Sequence, residues 1–427
     1  MRFSKVFSLL SVGLISVSVL GACGSGSSKS DDGKAGGDGK KVTLKLATWA
    51  NETEAKEFNE ILDKLNKESD SYKIEQMVIP QDYYTKVQTM IAGNNAPDLL
   101  WLAQEYVPAY AQNGAVMDLT KQLEEQDKID TKDLFDGSFD AAKWEDKTYG
   151  LPWIGQPYVV YYNKTMFKDN NVAEPKMDWT WEDFQDSAKK LTKDNVYGFA
   201  NTGSVPSAVF AWGEGSDLIS EDGKPEVNSD STVAGLEKYY AISSDKSMTM
   251  PYAEANSLGV EQGFVDGKIG MIVGGANDDV EKKVEEAGKK FEVGMAVMPA
   301  GSKEQVTFNW TASTLISSQT KNKEVAFDAL LDVTNAMFDW KVPSPAKSKS
   351  ENIAEINPYK KDSMDVIKKS MEISRGFHNL PQQNELGGKQ WELLDLPIIS
   401  NNNGKGNLDV KKAADDTQEA FKSILGK

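Results

Sequence analysis

The sequence predicts an α/β protein of two lobes, with a ligand cleft between them and several segments crossing from one to the other. Three observations carry this. Strand-like and helix-like stretches alternate from residue 42 onward, which argues for a parallel sheet flanked by helices. Setting aside the first 40 of 427 residues leaves 387, more than the roughly 250–300 at which a single core stops growing. A second strand–helix series begins near residue 149 with no long spacer before it, so strands themselves are expected to cross between the lobes.

The first 40 residues are excluded from the fold. Met1-Arg2-Phe3-Ser4-Lys5 is a basic head, Val6 to Leu20 an apolar run, and Leu20-Gly21-Ala22 a small-residue site before Cys23. That is the pattern of a secretory signal over residues 1–22, and the run is short for a membrane span. Cys23 is the sole cysteine, so it has no intramolecular disulfide partner; a thioether-linked lipid gives it a role. Residues 24–40 (GSGSSKSDDGKAGGDGK) contain no large apolar side chain and read, with Cys23, as a flexible tether over 23–40.

The elements follow in order. VTLKLATWA at 42–50 is a strand by its β-branched and apolar content. Ala55, Phe58, Ile61, Leu62 and Leu65 share one helical face. Tyr72 to Ile79 is a second strand, Tyr84, Val87, Met90 and Ile91 a second helical stripe, and residues 98–102 a third, more buried strand. Tyr158 to Tyr162 is a strand, and Thr180 caps a helix with Asp183 three residues on. Further strands are expected at 197–200 and 291–298, residues 264–273 read as a helix end, a turn and a strand, and helices are expected over 323–333 and 409–425. No repeat of solenoid period is present. In such sheets ligands bind beyond the carboxyl ends of the strands.

Charge and composition exclude several classes. The formal net charge is −17, and −19 without Arg2 and Lys5, which repels nucleic acid and anionic lipid. One histidine, His378, and one cysteine argue against zinc of the usual ligand types. No HExxH, GxSxG, P-loop or GxGxxG is present, so neither metal, cofactor nor catalytic residue is expected. A glycoside hydrolase would need two carboxylates about 5–9.5 Å apart. The 65 acidic residues could hide such a pair, but no succession of eight strand–helix units suggests a barrel.

Ten tryptophans stand out. Trp49, Trp101, Trp153, Trp212, Trp310 and Trp340 fall at strand ends or loops, whereas Trp179 and Trp181 sit at a helix start and are expected to be structural. A flat apolar ring matches the C–H face of a pyranose, and carboxylates and amides take its hydroxyls. Polar candidates lie nearby in sequence: Glu52 after Trp49, Asp82 after the second strand, Gln104 and Glu105 after Trp101, Glu214 after Trp212, and Asn277 and Asp278 after Gly274-Gly275. Arg375 is the only arginine beyond the leader; its planar fork is not replaced by lysine, which marks it for a particular ion pair or ligand hydroxyl.

Several short motifs, in this order and spacing, resemble the maltose-binding-protein-like extracellular solute-binding lipoproteins of ATP-driven sugar importers. They are Leu20-Gly21-Ala22-Cys23, LKLATWA at 44–50, Ala96-Pro97-Asp98-Leu99, Tyr149-Gly150-Leu151-Pro152, Tyr161-Tyr162-Asn163-Lys164 with Phe167, Thr180-Trp181-Glu182-Asp183-Phe184, Phe264-x-x-Gly267-Lys268-x-x-Met271 and Asn322-Lys323-Glu324-x-Ala326. The resemblance implies a periplasmic-binding-protein-like fold whose lobes close on a carbohydrate, an oligosaccharide by the spread of rings, without catalysis. It implies crossings near Pro152–Tyr161, near Gly270–Gly274 and after Asn335, with lobe 1 made of 41–154 and 271–335 and lobe 2 of 155–270 and 336–427. It also implies membrane-spanning permease subunits of an ABC importer as partners, diacylglyceryl attachment at Cys23, a place on the outer face of a Gram-positive cytoplasmic membrane, and a monomer. Asn309-Trp310-Thr311 departs from the family, where this stretch is often glycine-rich. A peptide or amino-acid binder is the alternative within the same group.

Overall fold

The computed structural model describes residues 41–341, 343–401 and 407–426; the leader, Cys23 and the tether lie outside the described residues. Eleven strands are seen there: β1 (Val42–Thr48), β2 (Tyr72–Val78), β3 (Leu99–Ala103), β4 (Lys143–Trp144), β5 (Lys147–Thr148), β6 (Gly150–Asn163), β7 (Tyr197–Phe199), β8 (Ile269–Gly275), β9 (Val293–Ala296), β10 (Thr307–Ile316) and β11 (Ser374–Arg375). The main sheet runs β2-β1-β3-β10-β6-β8-β7, with β11 on β10 and β9 on β6; β4 and β5 form a separate ribbon.

The first lobe is built on parallel β2, β1 and β3. Helix α1 (Glu52–Glu68) begins with a reciprocal cap, Asn51 accepting from the Glu54 amide while the Glu54 carboxylate accepts from the Asn51 amide. It buries Phe58 and Leu62 against the sheet. Helix α2 (Tyr83–Ala92) buries Tyr83 and Val87. All five residues of β3 are buried, as expected of a parallel strand covered on both faces.

Two long strands join the lobes. β6 pairs with β10 over Gly150–Pro157 and then with β8 and β9 over Tyr158–Asn163, so one continuous strand leaves the first lobe and enters the second. β10 returns antiparallel, pairing β6 on one side and β3 on the other. Between Ala312 and Ser313 the register slips, Ala312 facing Ile154 and Ser313 facing Pro152. Trp153 is therefore the extra residue of a bulge, a device that bends a strand and re-aims a side chain.

The second lobe carries parallel β7 and β8, with β9 antiparallel to β6. Here the expected boundaries need correction. Gly270–Gly274 is not a crossing: it lies within β8, paired to β6 and β7. Residues 271–296 thus belong with the second sheet, and the chain returns to the first lobe only at β10. After the helix Lys323–Met337 the chain runs on to helical turns whose Ile353 and Ile367 are buried with Val159 and Ile272 of the second lobe. Thr180 and Asp183 form the predicted cap, and Trp181, Phe184, Ala188 and Leu191 are buried. Among the described residues no helix is long and apolar enough to cross a membrane, and no group of three or more His, Cys, Asp or Glu could hold a metal ion.

Candidate functional site

Strand direction locates the site. β1 and β3 end towards β10 and the crossing, Ala103 lying level with Ala312. β8 ends where β6 enters the second lobe, Gly275 beside Tyr158, and β7 runs parallel to it. The parallel strands of both lobes therefore present their carboxyl ends to one another across β6 and β10, the place where α/β sheets hold ligands.

On the first-lobe side this edge is aromatic. Trp49, half-buried just past β1, meets Tyr83 at 5.2 Å edge-on, Trp101 at 5.4 Å, Trp153 at 6.4 Å and Trp310 at 6.4 Å between ring centroids. The Tyr83 hydroxyl is buried between the ends of β1 and β3, bonded to the Ala47 and Trp101 carbonyls and the Trp101 amide. Tyr84 and Tyr106 stack face to face with centroids 3.4 Å apart. Gln104 follows β3, 6 % exposed, its Oε1 without a protein partner. That oxygen sits 3.2 Å from where a Cβ on Gly376 would stand, so an alanine at 376 would press on it. Burial raises the Glu105 carboxyl above the ordinary carboxylate range.

The crossing and the second lobe bring polar groups. Tyr158, at the start of β6's second half, has its hydroxyl pushed up to about 12 by burial and by the charges of Asp278 and Glu105, one carboxylate from each side. Asp278 Oδ2 accepts from the Gly275 amide at 2.9 Å and Oδ1 from Gln156 Nε2 at 3.3 Å. Its pKa too is raised by burial, although the Gly275 amide opposes this. Gly274 and Gly275 are glycine for a steric reason: a Cβ on the first would meet Asp278 Oδ2 at 2.6 Å, and one on the second would overlap the Gln156 amide. Asn277 is half-buried, its Oδ1 buried and unpartnered.

The predicted residues divide accordingly. Trp49, Trp101, Trp153, Trp310, Gln104 and Asn277 gather at or beneath this edge, with Trp101 and Trp153 buried as its floor, centroids 4.5 Å apart. Glu52 and Asp82 are exposed at the helix starts, Asp82 in a left-handed conformation at φ 54°. Trp340 joins the same group of rings, its centroid 5.9 Å from that of Trp153 and 6.2 Å from that of Trp101. Its ring stacks on Phe58, its Nε1 donates to Glu57 at 3.0 Å, and it lines a groove of about 950 Å³ against α1 and the helix Lys323–Met337.

Trp212 is a core residue, 0 % exposed in the helix Ser207–Gly213, every residue of which is buried. Glu214 is bound to Lys238 at 2.7 Å and to the Ser302 amide and hydroxyl. Arg375 pairs with Asp217, its guanidinium 4.4 Å from the Trp212 ring centroid, and His378 Nε2 lies 3.3 Å from the same carboxylate. Burial opposes ionisation of Asp217, but His378, Arg375 and Trp212 together hold its pKa below the ordinary range.

Sequence reasoning passed over Gln156, Tyr158 and Trp391. Trp391 opens a π-helical turn, Trp391–Asp395, and is 39 % exposed. Its ring lies over Gly203, in the loop that follows the carboxyl end of β7. An exposed tryptophan on that edge was detectable only once the strand directions were known.

Against known proteins, a family model described as bacterial extracellular solute-binding protein matches residues 60–333. The maltodextrin-binding protein of Bacillus subtilis (strain 168) is 23 % identical over 450 aligned positions, covering 99 % of this chain and 97 % of the relative. An ABC substrate-binding protein of Listeria monocytogenes, solved in complex with cycloalternan, superposes with a TM-score of 0.74 at 23 % identity, over 91 % of this chain and 100 % of its own. The sugar-binding protein MalE of Xanthomonas citri superposes with a TM-score of 0.77 at 15 % identity, over 90 % and 98 %. These structures share the two-lobed fold described above.

Proposed function

Because the chain belongs to the bacterial extracellular solute-binding proteins, we propose that it captures a neutral oligosaccharide between its lobes and delivers it to the permease subunits of an ATP-driven importer. The observation that carries this is the facing of the two carboxyl-end edges. The first-lobe edge carries rings headed by Trp49 and Trp310, the second lobe carries the exposed Trp391 over Gly203, and the edges also carry amides, carboxylates and a phenol: Gln104, Glu105, Gln156, Tyr158, Asn277 and Asp278. Rings take the apolar faces of a glycan and the polar groups take its hydroxyls. An ionic ligand would call for dedicated counter-charge, and the body's one arginine is engaged with Asp217. The Bacillus subtilis relative is named for maltodextrin and the Listeria monocytogenes structure holds cycloalternan, both consistent with a glycan ligand.

The test is calorimetric or thermal-shift screening of purified residues 24–427 against mono- to tetrasaccharides, peptides, amino acids and metal ions. Affinity is expected to rise as the glycan lengthens, with no shortened product on prolonged incubation. Tight binding confined to peptides or amino acids overturns the sugar reading. Saturation by a monosaccharide with no gain on lengthening removes the oligosaccharide, and a shortened product restores the glycosidase.

The proposal extends to the leader: Cys23 carries a diacylglyceryl group that holds the protein on the outer face of a cytoplasmic membrane, Gram-positive by preference. Cys23→Ala is expected to release the chain into the medium with glycan binding intact, because the site lies beyond the tether; unchanged membrane retention of the variant overturns the anchor.

A further inference from the structure

A lysine with no exposed surface stands behind the second-lobe edge of the cleft. Lys360, in the 3-10 turn Pro358–Ser363, is 0 % exposed. An ammonium group is costly to bury unless its protons are taken, and this one has three acceptors: the Asp278 carbonyl at 2.6 Å, Glu281 Oε2 at 2.7 Å and the Tyr161 hydroxyl at 3.1 Å. The Tyr161 hydroxyl in turn lies 2.8 Å from the Gly275 carbonyl and 3.1 Å from that of Asp278. From the same turn Asn357 Nδ2 donates to Asp279 Oδ1 at 3.1 Å.

These bonds hold the loop after β8 through the Gly275 and Asp278 carbonyls and the Asp279 and Glu281 carboxylates, and none of them uses the Asn277 side chain. The Asn277 Oδ1 is buried without a partner, and the Asp278 carboxylate accepts from Gln156 of the crossing strand. The two neighbouring glycines permit the close approach but supply no rigidity of their own.

We propose that Lys360 is a positioning residue for ligand recognition, holding the loop that carries Asn277 and Asp278 in register with Gln156 without touching the ligand. The inference rests on the ligand reading above. It separates this lysine from the many on the surface: it acts through the Asp278 carbonyl, the Glu281 carboxylate and the Tyr161 hydroxyl, so its loss loosens one loop.

The experiment uses Lys360→Met in residues 24–427, with the tightest glycan from the screen, at a temperature where circular dichroism shows the variant folded. The dissociation constant is expected to rise about tenfold, a coupling in the range seen for residues sharing one hydrogen-bond network. Amide hydrogen exchange at residues 276–279 is expected to accelerate while β1 and β3 keep their protection. In an Asn277→Ala, Asp278→Asn background the added effect of Lys360→Met on affinity is expected to vanish. Wild-type affinity and exchange in Lys360→Met, or losses that simply add, overturn the proposal. Should Lys360→Met fail to fold, Tyr161→Phe decides: it removes one link of the same network, and unchanged exchange at 276–279 together with unchanged affinity overturns the inference. If the unsubstituted chain binds no glycan, the ligand reading fails, and the exchange measurement still judges Lys360.

Discussion

Trp212→Ala lowers the stability of the chain by about 3–5 kcal/mol, the range for deleting a large buried ring, and leaves the order of ligand preference unchanged. The ring is 0 % exposed and belongs to the main cluster of the second lobe. Phe377 packs on it with centroids 5.9 Å apart, and the Arg375 guanidinium lies over its face. Removing it opens a cavity and strips the cover from a charge pair, Arg375 with Asp217, that burial makes dependent on its surroundings. Urea denaturation should show a lower midpoint at an unchanged slope, the signature of lost stability rather than of a changed unfolded state. A variant with the wild-type midpoint and lost affinity would return Trp212 to the ligand.

Much of the fold was legible because its signals are local. The alternation that builds β1, α1, β2, α2 and β3 is a change of hydrophobic period along the chain, and the Thr180–Asp183 cap needs only four residues. The second crossing was not legible. β8 is a short apolar run that would suit either lobe, and only its pairing with β6 assigns it. Pairing is a non-local property, and a run of four to eight apolar residues carries no address.

The site was legible in its chemistry and less so in its places. Trp49 and Trp310 were candidates because they stand at strand ends or on a crossing strand, and their rings come together with centroids 6.4 Å apart. Trp212 is buried because a tryptophan near a loop in sequence can still turn inward. SAVFAWG at 207–213 is buried on every side, and Trp340 follows the end of a helix that packs on α1. Glu214 and Arg375 attracted notice as rare or well-placed charges, and the fold uses both in ion pairs within its own structure. Gln156 and Tyr158 were hidden inside a strand reading, since nothing in GQPYVVYY says where the strand changes lobes. The π-helical turn that opens at Trp391 has no sequence signature in this handful of residues.

Trp391→Ala weakens glycan binding more than tenfold and leaves the melting temperature close to that of the unsubstituted chain. The two halves of this expectation have separate causes. The ring is among the few large apolar groups left exposed, at 39 %, so its removal takes little from the core. It contacts the backbone at Gly203, where a side chain would collide with it, and this contact fixes the ring's orientation before any ligand arrives. A preoriented aromatic face loses little entropy on binding, and a ring that serves as an anchor is worth about 2 kcal/mol or more, which exceeds a tenfold change in affinity. Trp391→Phe keeps a smaller face and should fall between the two. Calorimetry against the glycan series measures the effect directly, and the loss should grow with chain length if Trp391 holds a sugar unit distant from Trp49. Wild-type affinity in Trp391→Ala for every glycan that binds would remove this ring from the cleft and leave the aromatic wall of the first lobe, with Trp49 and Trp310, as the only stacking surface of the proposed site.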